Sequence, residues 1–122
     1  MNQEELKQRT KQFGLETIRF IETLPKSETS YVIRRQLLRS ATSVGAHYRA
    51  ACRGRSKAEF IAKVGVAIEE ADESIYWLEM LIDAGIIKPE KATKLIDEAN
   101  QLVAIFTATH KTASKNSNNR RK

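Results

Sequence analysis

A chain of 122 residues holds one domain with one core, which excludes a multidomain machine. At 41% hydrophobic and 30% charged, with five Gly and two Pro, it is too apolar for disorder and too poor in turn residues for a many-stranded sandwich or barrel. The net charge of +6 is unevenly placed: of 21 basic residues five fall in 111–122, a stretch with no acid, leaving 16 basic against 15 acidic groups before it.

The first predicted helix runs from about Gln3 to Leu24, with Leu6, Phe13, Ile18, Ile21 and Leu24 on one side and Pro25 ending the pattern. A polar connection, PKSETS, offers Ser27, Thr29 and Ser30 as N-caps. The second helix, about Tyr31 to Arg53, carries a stripe of Ile33, Leu37, Ala41, Val44, Tyr48 and Ala51 at steps of four, four, three, four and three. Gly54 stands where a left-handed C-terminal cap belongs, and Ser56 with Glu59 reads as a capping box. The third helix, from Lys57 to about Ala84, places Phe60, Val64, Ala67, Ala71, Ser74, Leu78 and Leu81 on one seam, and Gly85 stops it. Pro89 opens the fourth helix, whose stripe is Ala92, Leu95, Ala99, Leu102 and Phe106. The expected fold is all-α, an antiparallel up-down-up-down four-helix bundle over residues 1–110, followed by a disordered basic tail over 111–122.

The longest apolar runs are five residues, so no membrane span is expected, and the N-terminus MNQEELKQRT has no secretory pattern, so a cytoplasmic location is expected. One cysteine, Cys52, makes neither an internal disulfide nor a cysteine metal cage. Ser40, Ser43 and His47 border the second stripe, but no G-x-S-x-G elbow accompanies them, and small hydroxyls there are expected to bond back to the helix backbone. No catalytic, cofactor or metal site is predicted, and the chain reads as a non-enzyme.

Charge is sorted by helix. Arg34, Arg35, Arg39, Arg49, Arg53 and Arg55 lie between Tyr31 and Arg55 with no acid among them, whereas the third helix carries seven acids against Lys57 and Lys63. Arg35, Arg39, Arg49 and Arg53 share a strip with Thr42 and Ala46, beside the apolar one. A guanidinium fork fits carboxylate and phosphate alike, which leaves two readings. The arginines, Arg55 included, contact RNA or DNA phosphates, or they are consumed by salt bridges to acids such as Glu70 and Glu73 in a protein-protein adaptor. Leu38, Ile61, Ile75, Trp77 and Ile82 fall outside the main stripes and predict a homo-oligomer.

The segment from Arg35 to Ile87 resembles the bacterial 23S ribosomal RNA intervening-sequence protein family. The likeness rests on Leu-Arg-Ser-x-x-Ser at Leu38 to Ser43, Arg-Ser-x-x-Glu-Phe at Arg55 to Phe60, and Glu-Ala-Asp-Glu-Ser-x-x-Trp-Leu at Glu70 to Leu78. It departs from the family's Asn-x-x-Glu at His47 and Ala50. The resemblance implies a helical bundle assembled as a ring, a homopentamer, with no enzymatic activity. A related accessory protein of diversity-generating retroelements binds nucleic acid together with a reverse transcriptase, which makes such an enzyme an implied partner.

Overall fold

The computed structural model describes residues 1–120, with side-chain environments through residue 116. Four helices account for almost all of it: α1 (Gln3–Ile21), α2 (Glu28–Cys52), α3 (Lys57–Asp83) and α4 (Pro89–Arg120). Each of the first three starts where a side chain satisfies an orphan backbone N–H. Asn2 Oδ1 accepts from the Glu5 N–H at 2.8 Å, Ser27 Oγ from Ser30 at 3.1 Å and Ser56 Oγ from Glu59 at 3.1 Å. The reciprocal bond expected of a capping box is displaced by one residue: Glu59 Oε2 accepts from the Arg55 N–H, at 3.3 Å, rather than from that of the cap itself.

Gly85 stops α3 as expected, but the left-handed cap expected at Gly54 is found at Gly85 instead. Gly54 is not left-handed; Gly85, at φ +73°, is the one residue with positive φ among the described residues. At Gly85 the chain forms a Schellman ending, in which the Ile86 N–H donates to the Leu81 carbonyl at 3.0 Å and the Gly85 N–H to Ile82 at 2.9 Å. Gly54 answers a steric need instead, since a Cβ there would stand 3.0 Å from the Ala51 carbonyl oxygen. At the other end of the chain, helical backbone in α4 continues to Arg120, ten residues into the segment whose composition predicts disorder. Arg121 and Lys122 lie outside the described residues.

The expected stripes of α2 and α4 are buried throughout, and that of α3 is buried except at Phe60, which is half-buried. In α1 the buried face is Leu6, Thr10, Phe13, Gly14 and Thr17, while Ile18 and Ile21 are half-buried. The threonines fit a core because their hydroxyls are satisfied locally. Thr10 Oγ1 donates to the Lys7 carbonyl at 2.9 Å and Thr17 Oγ1 to Phe13 at 2.8 Å, which leaves the methyl groups to pack.

Each helix packs on its neighbours in sequence, and α4 returns to α1 along a thinner seam. Across the α1–α2 seam, a Cβ on Gly45 would meet Thr10 at 3.3 Å, and one on Gly14 would meet Thr42 at 3.7 Å. The α1–α4 seam is closed by a bidentate pair in which Arg9 Nε and Nη2 donate to Glu98 at 2.8 and 2.7 Å, with Nη2 also reaching Gln101 Oε1 at 2.7 Å. Bonding to Glu98 raises the Arg9 pKa above its already high ordinary value, so the pair is permanently charged on the arginine side.

Replacing Ser56 by Ala is expected to cost on the order of 0.5–2 kcal/mol, read as a lower denaturation midpoint at unchanged slope. Gly85→Ala is expected to cost about 1–2 kcal/mol by forcing a Cβ into the left-handed region, although no atom lies within 4 Å of it. The loss therefore persists however much space the substitution is given.

Candidate nucleic-acid interface

Turning Ile33, Leu37, Ala41, Val44, Tyr48 and Ala51 inward fixes the rotation of α2 and sets its arginines along the outside. They do not share one fate. Arg39 crosses to α3, where Nη1 bonds Glu70 Oε2 at 3.2 Å and Nη2 bonds Glu73 Oε2. Trp77 Nε1 donates to the same Glu73 oxygen at 3.1 Å, so Arg39, Glu70, Glu73 and Trp77 form one polar cluster on the α2–α3 seam. Arg34 is half-buried over the Tyr31 ring, 5.2 Å from its centroid, with Nη2 donating to the Leu24 carbonyl at 2.7 Å. It secures the end of the α1–α2 connection.

Arg35, Arg49, Arg53 and Arg55 remain exposed and form no ion pair among the described residues. The backbone N–H of Arg55 is engaged by Glu59, but its guanidinium is free of any bond to the described residues. Arg49 and Arg53, four residues apart on α2, overhang a groove of about 490 Å³ between α1 and α2. Between the charged residues its lining is small, with Gly14, Thr42, Gly45 and Ala46, and Leu15 and Ile18 add apolar surface on the α1 side. Lys7 and Lys11 stand on the α1 side, with Glu4 at 3.7 Å from Lys7.

The two lysines are what sequence reasoning missed. Their spacing of four residues was visible, but a pair of lysines beside a buried face carries no sign of which neighbouring helix it will stand against.

The polar residues beside the α2 stripe are held apart. Ser40 Oγ lies 2.9 Å from Ser74 Oγ of α3 in the core, whereas His47 Nδ1 lies 2.9 Å from the Ser43 carbonyl, to which it donates. No Ser–His bond forms between them. Burial beside Cys52 pushes the Tyr48 phenol well above its ordinary range, so it stays protonated against Phe106, with ring centroids 5.4 Å apart. Among the described residues no three His, Cys, Asp or Glu side chains gather as a metal site requires, and no helix is long and apolar enough to cross a membrane.

Comparison with known proteins bears on the whole bundle. A crystal structure of a protein of unknown function from the S23 ribosomal protein family of Bacteroides thetaiotaomicron superposes with a TM-score of 0.84 at 30% identity, covering 91% of this chain and 99% of that one. A search of curated proteins gives no match. The family model described as 23S rRNA-intervening sequence protein matches residues 2–108, which takes in α1, α2 and α3 whole and α4 as far as residue 108, and extends well beyond the segment whose motifs carry the resemblance. The chain belongs to the 23S rRNA-intervening sequence protein family.

Proposed function

We propose that the protein is a non-catalytic, cytoplasmic bundle of antiparallel helices that assembles with copies of itself into a ring and binds RNA or another nucleic acid through arginines of α2. The observation that carries this reading is the exposure of Arg35 and Arg49 on α2, of Arg53 at its C-cap and of Arg55 just beyond, in a stretch that holds no acid from Thr29 to Ala58. Unpaired guanidinium groups are the ones free to meet phosphates. The antiparallel arrangement is supported by the order of facing residues, Thr10 opposite Gly45 and Gly14 opposite Thr42. Self-assembly is supported by Tyr31, Val32 and Leu38 on α2 and Tyr76 on α3, large apolar side chains left exposed in the single chain. A second reading, a protein-protein adaptor, is favoured by one observation: Arg39 is already taken by Glu70 and Glu73.

Titration of a labelled single-stranded oligonucleotide of about ten nucleotides, followed by fluorescence anisotropy over a salt series, tests the main reading. Binding is expected to weaken with salt at a log-log slope of roughly −0.7 per phosphate contact, with little sequence preference. Changing Arg35, Arg49, Arg53 and Arg55 together to Gln is expected to abolish most of the binding and flatten that slope. No binding by the intact protein at low salt gives the adaptor reading. Light scattering is expected to give a multiple of the 13.8 kDa chain, and a 13.8 kDa particle at micromolar concentration defeats the ring.

A further inference from the structure

The groove between α1 and α2 has two features that a merely solvated, charged face does not need. Its rim carries cations from both sides, Lys7 and Lys11 of α1 and Arg49 and Arg53 at the C-terminal end of α2. Each pair is separated by four residues, about 6 Å along its helix. With Thr10 opposite Gly45 and Gly14 opposite Thr42, Arg49 comes level with Lys7, so the positive charge converges from two walls. Its floor is uncharged, and Leu15, a large apolar side chain, stands exposed at its edge. Phosphate contact alone calls for the cations; the uncharged surface between them suits a ligand that brings a flat, less polar face as well as phosphates, as a base does.

We infer that this groove is the seat of a single-stranded nucleic-acid segment, with Lys7 and Lys11 of α1 as binding residues alongside Arg49 and Arg53; the inference rests on the nucleic-acid reading above. A volume of about 490 Å³ is that of a site for one small molecule, which is the scale of a nucleotide or two. A duplex keeps its bases stacked inside and presents only its outer phosphates to such a rim, leaving the uncharged floor unused. A single strand turns a base or ribose inward while its phosphates reach the rim. Glu4, the one acid on the lining, sits beside Lys7 at the Arg53 end of the groove and is exposed, so it offsets part of the charge there and leaves Lys11 and Arg49 farther from any acid on the lining.

Two independent changes test the assignment, each in the full chain and each checked for an unaltered melting midpoint. Lys7→Gln with Lys11→Gln removes charge from the α1 wall and is expected to flatten the salt slope for the single-stranded oligonucleotide by about 1.4. The same charge change at Lys88 and Lys91, which do not line the groove, is expected to leave the slope as it was. Ala46→Leu fills the floor at an exposed helical position with every charge retained, and is expected to weaken binding roughly tenfold at an unchanged slope. Wild-type protein is expected to prefer the single strand over a duplex of the same sequence.

If the intact protein binds no oligonucleotide, the nucleic-acid reading and this inference fall together. If the four-arginine variant loses binding while the lysine pair and Ala46→Leu do not, the reading survives and the groove is overturned. Preference for the duplex, or sedimentation with anionic phospholipid vesicles in place of oligonucleotide binding, likewise overturns it.

Discussion

The narrow apolar stripe of α2 is the constraint on which the arrangement depends. Six positions from Ile33 to Ala51 are buried on one face, and once they are turned inward no rotational freedom remains for the rest of the helix. Ser40 is carried to the α3 side of the core, Thr42 and Gly45 to the α1 side, and the arginines to the outside. Burial of the stripe offers the dominant free energy, on the order of 1.5–3 kcal/mol for each large aliphatic side chain removed from water. No surface ion pair, worth about 0–1 kcal/mol, can oppose it. The positions of the charges are thus a consequence of packing, and their pairing is settled afterwards by what lies opposite.

Pairing differs along the helix for the same reason. Arg39 stands where α3 presents Glu70 and Glu73, and Trp77 fixes Glu73 from the far side, so the guanidinium meets carboxylates already in place. Arg49 and Arg53 stand opposite α1, whose nearby charges are Lys7 and Lys11 with Glu4 alone of opposite sign. The sequence shows one strip of arginines, yet the structure takes Arg39 out of it as a structural residue and leaves Arg35, Arg49 and Arg53 open. Spacing reports which residues share a face of one helix; the chemistry of that face is decided by a neighbour distant in the chain.

The same distinction explains what was legible from the sequence. The stripes of α2, α3 and α4 are apolar at steps of three and four, Ser74 excepted, and they are buried nearly without exception; the serines that join them in the core, Ser30, Ser40 and Ser74, are small enough to fit beside them. In α1 and the turn after it the expected stripe holds, with Leu6, Phe13 and Leu24 buried and Ile18 and Ile21 half-buried, but Thr10, Gly14 and Thr17 share that face unannounced, since a hydroxyl bonded to its own helix behaves as a small apolar group and no count of hydrophobic residues registers that. Ser56 was readable as a cap because its bond is local, three residues long. The roles of Gly54 and Gly85 were not separable, because both follow a helix and the difference lies in which backbone path the next residues take. Arg9 with Glu98 was out of reach altogether, a pair joined across 89 residues of chain.

Near-neutrality of residues 1–110 does not weaken the case for a cationic groove. Sixteen basic and fifteen acidic groups cancel only in a sum over the whole bundle, whereas an anion at the α1–α2 rim responds to the charges within its screening distance. That distance is about 8 Å at physiological ionic strength, less than the roughly 10 Å diameter of a helix with its side chains. The acids on the outer face of α3 lie on the other side of α2 from the groove, so salt screens their repulsion more completely than it screens Lys11, Arg49 and Arg53 at the rim. Lowering the salt strengthens the rim and extends the reach of those acids at once, so the two effects partly oppose. A nucleic acid bound here therefore responds to salt less steeply than its number of phosphate contacts alone dictates, and a measured slope sets a lower bound on that number.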